Sequence, residues 1–194
     1  VSFGSISDGT ITATTLSKTT TADGLIFQEI TSGTHTLSCF AKAGSTHLIT
    51  LAATTSLQGR HCTFNLNNGT IHETGNYNGS TGLITGGVGS IIDFGNGWYR
   101  CIFSGIVTSG NKAYHFGPNV PGSTTASNVL VWGAQIENGS FATSYIPTSG
   151  SAVTRAQDTA KIDGTNFTDF YNQEEGTLVA HYYSTVDDGM IAML

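Results

Sequence analysis

Apolar and polar residues alternate over short stretches of this chain. In residues 35–41 the alternation places Leu37, Cys39 and Ala41 on one side, and residues 62–66 repeat the pattern. A period of two is typical of a β-strand, whose successive side chains point to opposite faces of a sheet. These stretches therefore predict strands with one buried and one solvent-facing side.

Further strands are predicted where similar patterns recur between turn residues. The Asn68-Gly69 pair suits a tight hairpin turn, since both turn positions need a positive φ. In residues 128–137 the side chains of Leu130, Trp132, Ala134 and Ile136 are predicted to share one face. The remaining predicted strands are residues 48–52, 70–73, 91–94, 98–103 and 113–116.

Residues 75–89 contain six glycines and show little periodicity. Glycine weakens a strand interior and is common in loops. This segment is therefore predicted to be a mobile loop.

About eight to ten short strands with turns every ~8–12 residues indicate a β-sandwich. The predicted fold class is all-β, an antiparallel jelly-roll β-sandwich. Residues 178–183 and 190–194 form a further predicted hairpin around Asp187-Asp188-Gly189. A single hairpin cannot bury a core by itself, so we expect it to belong to a second β-sandwich that continues past Leu194. The alternative is that the hairpin docks on the first domain.

Composition narrows the function classes. Charged residues make up 10% of the 194 positions, glycine occupies 25 and the net charge is −6. Long helices and disordered segments both need more charge than this. With only 7 Lys and Arg, the chain is not expected to bind nucleic acid. The sequence contains no apolar run of the ~18 residues that a membrane-spanning helix needs, so membrane insertion is not expected.

The three cysteines each lie in an apolar strand pattern. Cys39, Cys62 and Cys101 are predicted to be buried free thiols that pack as small apolar side chains. A disulfide between two of them is the alternative. None has the close Cys or His spacing of a metal site.

Three segments resemble a known family. Residues 36–44 (TLSCFAKAG), 93–101 (DFGNGWYRC) and 131–148 (VWGAQIENGSFATSYIPT) are similar to jelly-roll domains of the carbohydrate-binding-module type in bacteriophage tail-fibre and other virion proteins. Residues 153–156 resemble the usual exit from that domain. Residues 170–178 (FYNQEEGTL) resemble the first strand of a concanavalin A-like (LamG-like) domain.

The strand pattern, the polar segment at residues 148–151 and the resemblance together predict a domain organisation. Residues 1–29 are expected to form an extended lead-in or edge strand, and residues 30–147 the jelly roll. Residues 148–165 are expected to be a linker, and residues 166–194 the incomplete start of the second β domain. In the jelly roll, Gln135 and Glu137 are predicted to satisfy backbone groups near the domain exit.

The resemblance also implies a function. It predicts a non-catalytic structural or adhesion component of a phage virion, made in the host bacterial cytoplasm, such as a tail fibre, spike or decoration protein. The expected partners are further copies of the chain in a trimer, other virion proteins and a cell-surface glycan. The alternatives are a carbohydrate-binding module of a secreted glycan-active enzyme, which would place the chain outside the cell, and a ligand-free spacer.

Sugar recognition needs an aromatic ring with amides and hydroxyls close to it. Asn76, Tyr77 and Asn78 combine a ring with amides in the glycine-rich segment, and Tyr114 with His115 forms a second candidate pair. These five residues are the predicted carbohydrate contacts.

No catalytic group and no cofactor are predicted. A glycosidase needs two carboxylates across a cleft, whereas most acidic residues here flank turns. The six histidines are scattered singly, so no transition-metal site is expected. A structural calcium ion is the open alternative, with Asp8, Asp23 and Asp158 as candidate ligands.

Overall fold

The computed structural model describes residues 13–19, 26–55, 58–77, 84–108, 112–148, 151–154, 161, 164–165 and 171–172. The chain divides into two compact units, Val1–Val153 and Thr154–Leu194. The predicted hairpin within residues 178–194 lies outside the described residues. No helix in the described part is long and apolar enough to cross a membrane.

Among the described residues of the first unit, ten antiparallel strands form two five-stranded sheets. Sheet A has the strand order β1-β10-β3-β8-β7, and sheet B has the order β2-β9-β4-β5-β6. The strands are β1 (Thr14–Lys18), β2 (Ile26–Ile30), β3 (Gly33–Ala43), β4 (Leu48–Thr55), β5 (Gln58–Asn65), β6 (Thr70–Tyr77), β7 (Ile84–Gly95), β8 (Trp98–Val107), β9 (Lys112–Pro118) and β10 (Ser127–Asn138).

The core lies between the two sheets, which confirms the predicted all-β sandwich. Each central strand contributes every second residue to it, as the period of two requires. The inward side chains of sheet A include Leu37, Phe103 and Val131, and those of sheet B include Ile49, Leu51, Cys62, Phe64 and Phe116. The residues between them point to the outer faces of the sandwich.

All three cysteines are buried free thiols, as predicted. Cys39 and Cys101 are register partners on β3 and β8. Burial raises the pKa of Cys39 and of Cys62 to about 12, and burial together with its two cysteine neighbours raises the pKa of Cys101. The thiolate form is therefore disfavoured, so these side chains act as packing groups.

The prediction of a mobile loop over residues 75–89 is wrong at both ends. β6 runs to Tyr77 and β7 begins at Ile84, which leaves residues 78–83 outside the described part. The glycines have a packing role. A Cβ at Gly89 would lie 2.2 Å from Cys62 Sγ, and one at Gly75 would lie 3.1 Å from the Cε1 atom of His61. Side chains of β5 occupy the space above these two glycines.

The predicted face of β10 is also wrong. A register shift lies between Trp132 and Gln135, where Gly133 has a φ of 59°. The extra residue of a β-bulge reverses the alternation, so Leu130 and Trp132 lie on the outer side, while Ala134 and Ile136 pack against the core. A Cβ at Gly133 would stand 3.0 Å from the Phe40 ring, which explains a glycine at the bulge.

The bulge turns Gln135 and Glu137 toward the exit segment, residues 139–147, on the outer side of sheet A. Gln135 Oε1 accepts the Ile146 N–H at 2.8 Å, and the Glu137 carboxylate accepts the N–H and the hydroxyl of Thr143. This confirms that both side chains satisfy backbone groups at the exit. Because the exit segment has no strand neighbour in the described residues, side chains replace the ladder.

Arg100 completes this attachment from β8. Its guanidinium donates to Ser38 Oγ at 3.0 Å and to the Thr143 carbonyl, and its Cζ stands 5.5 Å from the centre of the Phe40 ring. Burial lowers the pKa of Arg100, and the Glu137 carboxylate acts against that shift. Trp132 packs against Tyr145, with ring centroids 4.8 Å apart. Both faces of sheet A are thus covered along β3 and β10.

The contact between Gly89 and Cys62 gives a direct test of the sandwich. Gly89→Ala is expected to lower the free energy of unfolding by about 1–3 kcal/mol, because the new methyl meets the thiol of the opposite sheet. In a Cys62→Ala background the same substitution should cost at least about 1 kcal/mol less. Urea unfolding of the four variants measures this coupling.

Ser90→Ala, one residue on and outward-facing, serves as the control and should change stability by less than about 0.5 kcal/mol. An equal cost of Gly89→Ala in both backgrounds would show that β7 does not pack over Cys62.

Candidate functional site

The outer face of sheet B brings imidazoles, hydroxyls and a carboxylate together. Strand register defines this surface: β9, β4, β5 and β6 lie side by side, and their residues that point away from the core form adjacent rows. We call it the histidine face. It consists of Thr50, Ala52, Thr54, His61, Thr63, Glu73 and His115.

Ala52 lies at the centre of the histidine face, between two histidines. It pairs with His61 of β5 on one side and with His115 of β9 on the other. Neighbouring strands are ~4.8 Å apart, so the two histidine backbones are about 10 Å apart. Between the two histidines, β4 carries only short outward side chains, those of Thr50, Ala52 and Thr54.

Hydrogen bonds between the side chains of this face fix its hydroxyls. Thr50 Oγ1 lies 2.7 Å from Thr63 Oγ1 and donates to the Asn119 carbonyl at 2.7 Å. Thr54 Oγ1 is 3.4 Å from His115 Nδ1. Exposure is low, with 8% of Thr54, 8% of His61 and 5% of His115 accessible. Ala52 and Thr63 are fully buried, so the face is a recessed polar layer that is accessible mainly at Glu73.

His61 and Glu73 form the ionisable pair of this face. His61 Nε2 is 3.5 Å from Glu73 Oε1, and 45% of the Glu73 side chain is exposed. The imidazole lies over Gly75, which leaves space for it on β6. Burial lowers the pKa of His61, while Glu73 acts in the opposite direction and Arg60 adds a smaller decrease. His61 is therefore neutral near pH 7, with one donor and one acceptor nitrogen.

Tyr114 is a core residue, which corrects its prediction as a sugar contact. Only 1% of it is exposed, and its hydroxyl donates to the Gly105 carbonyl of the opposite sheet at 3.2 Å. Burial raises the pKa of Tyr114. The next residue, His115, points to the other side and belongs to the histidine face. Alternation along β9 separates the two members of this predicted pair.

The other predicted contacts are distributed differently. Asn76 pairs with Arg60, and its Oδ1 accepts from the Arg60 guanidinium at 3.0 Å, in a row that does not belong to the histidine face. Tyr77 pairs with Gly59 at the end of β6, and its side chain lies outside the described part. Asn78 and the calcium candidates Asp8, Asp23 and Asp158 also lie outside it. No cluster of three metal-ligating side chains occurs among the described residues.

Most of the histidine face was missed by the sequence patterns. The alternation in residues 62–66 implies that His61 and Thr63 point outward together, and Thr50, Ala52 and Thr54 alternate in the same way on β4. This alternation predicts which residues of each strand point outward. It does not predict the strand order β9-β4-β5, which places His115 and His61 on either side of Ala52.

No protein-family model matches the chain, and no curated protein sequence matches it. The geometry of the histidine face and the resemblance of the sequence motifs therefore carry the functional proposal.

The pairing of His61 with Glu73 predicts a pH effect. In the folded chain the pKa of His61 is below its ordinary value of 6.5, so the unfolded chain takes up the proton first as the pH falls. Stability is thus lost as the pH drops through 6.5. Glu73→Gln removes the opposing effect, so it should lower the pKa of His61 further and increase this acid loss.

Titration of the His61 imidazole by NMR, with unfolding measured above and below its pKa, tests the prediction. Glu29→Gln is the matched control, because Glu29 lies on β2 at the other edge of the same sheet and should leave the His61 titration unchanged. A His61 pKa that rises in Glu73→Gln would contradict the assigned contact.

Proposed function

We propose that this chain is a non-catalytic structural and adhesion component of a bacteriophage virion, and that it contacts cell-surface glycan through the histidine face. The observation that carries the proposal is the row formed by His115, Ala52 and His61 on the outside of sheet B. The virion assignment rests on the resemblance of residues 36–44, 93–101 and 131–148 to tail-fibre jelly-roll domains.

The use of the charged and nucleophilic groups supports a non-catalytic role. Arg100 and Glu137 attach the exit segment, and the three thiols are packed in the core. A catalytic acid, base or nucleophile must reach its substrate. Each of these groups instead holds one part of the fold against another.

Chemical complementarity supports a glycan on the histidine face. Sugar hydroxyls are both donors and acceptors, and the neutral His61 imidazole and the Glu73 carboxylate together offer both kinds of partner. On sheet A the outer surface along β3 and β10 is covered by the exit segment, whereas the histidine face has an accessible carboxylate, Glu73, beside the His61 imidazole, which favours sheet B.

A recessed surface exposes few of its polar groups, so each contact is expected to be weak. Virion proteins present many copies of a site, and linking sites raises the apparent affinity by about 10²–10⁴ without new contacts. The proposed mode of action is therefore multivalent attachment, in which the sandwich holds the glycan without changing it.

Glycan-array binding with the chain displayed multivalently on beads tests the proposal. The wild type is expected to bind a defined subset of glycans. His61→Ala should reduce that binding at least about tenfold, because it removes the hydrogen bonds of the neutral imidazole from every displayed copy. His47→Ala is the matched control, since His47 is an exposed histidine in the turn between β3 and β4, outside the strands that form the histidine face.

A flat array for folded, multivalent wild type would contradict the glycan contact and favour the ligand-free spacer. Release of reducing sugar from a bound glycan would contradict the non-catalytic assignment and favour an enzyme. Mass spectrometry of purified virions tests the virion assignment separately, and absence of the chain from the particles would contradict it.

A further inference from the structure

β7 is a long edge strand. It spans Ile84–Gly95 at the end of sheet A, and β8 is its only strand neighbour among the described residues. The backbone groups along its second edge can therefore pair with another strand. Proteins commonly protect such edges with charged side chains or with bulges. Two register shifts lie in β7, between Gly86 and Val88 and between Asp93 and Gly95, and the pairing between them is regular.

Large apolar side chains are exposed along this edge. We call them the β7 patch: Val88, Ile92 and Phe94 on β7, and Ile106 on β8. Their exposed fractions are 71%, 47%, 56% and 44% in that order. Val88 pairs with Ser104 and Ile92 with Arg100, which places both on the outer side of sheet A. Phe94 packs edge-on against Phe40 on that side, with centroids 4.9 Å apart.

We propose that two copies of this chain associate about a two-fold axis by antiparallel pairing of β7 with β7. The proposal goes beyond the proposed function, because it holds whether or not the histidine face binds a glycan. The contact joins the two five-stranded A sheets into one continuous sheet. It differs from the threefold assembly that the motif resemblance implies.

The sequence of β7 is self-complementary in this arrangement. With the axis at Ser90, the two Ser90 residues stand opposite each other, and Val88 of each copy stands opposite Ile92 of the other. Residues directly opposite in an antiparallel pair lie on the same face, so the two β7 patches become one apolar strip. A second copy places an apolar residue opposite each apolar residue of β7 because of the two-fold symmetry. A strand from another protein would do so only if its sequence happened to have the same spacing.

Charge and area also favour a second copy. The chain carries a net charge of −6, so two copies repel each other unless they meet at an uncharged surface. Residues 84–92 contain no ionisable side chain. The twelve-residue strand is about 40 Å long, and two sheets ~10 Å apart with their side chains present an edge ~20 Å wide. The resulting area, on the order of 800 Å², is about what each partner of a stable complex buries.

Sedimentation and light scattering of the full chain over a broad concentration range provide the first test. The expected mass is twice the 20.3 kDa of one chain. Ser90→Lys places two like charges opposite each other on the axis and should weaken the dimer at least about tenfold. Ser17→Lys is the matched control, because Ser17 is an exposed serine on β1, the opposite edge strand of sheet A.

Cross-linking provides the second test. Directly opposite residues have Cα atoms ~4.5–5.5 Å apart, a distance that a disulfide spans. Ser90→Cys should therefore form a covalent dimer under mild oxidation, while Ser17→Cys stays monomeric. The native thiols are buried and do not compete. A monomeric or trimeric wild type, or a dimer that tolerates Ser90→Lys, would overturn the proposal.

Discussion

The attachment of the exit segment to sheet A is the constraint on which the arrangement of surfaces depends. An irregular segment that lies on a sheet must find partners for its backbone groups. Gln135, Glu137 and Arg100 supply them, and the bulge at Gly133 turns the first two to the correct side. The same contacts give the buried Arg100 guanidinium polar partners, and a buried charge without such partners would be costly.

This attachment determines which surfaces remain for other molecules. With the outer side of β3 and β10 covered, two other surfaces of the described sandwich remain: the histidine face of sheet B, which is polar and largely buried apart from Glu73, and the β7 patch, which is apolar and exposed. A polar recessed surface suits a hydroxyl-rich ligand, whereas an apolar strip beside a free strand edge suits another protein strand. The two proposals are linked, because pairing through β7 would place the weak glycan site of the histidine face in more than one copy on the same assembly.

Much of the fold could be predicted from the alternation of side chains, since Leu37, Cys39 and Phe64 face the core as the period of two requires. Two features could not. The glycines of β6 and β7 resemble loop residues until the β5 side chains above them are known, and the β10 bulge reverses a face within one strand. The histidine face also depends on strand order: His61 and His115 are 54 positions apart in sequence, and only sheet pairing places them beside Ala52.

Amide hydrogen exchange at Thr143 and Ile146 tests the central constraint most directly. Both amides lie in an irregular segment, and both donate to side chains of β10. The structure predicts exchange much slower than in an unprotected loop, and Gln135→Ala should selectively restore fast exchange at Ile146. Fast exchange of both amides in the folded wild type would show that the exit segment does not cover sheet A, and the choice of sheet B as the binding surface would lose its basis.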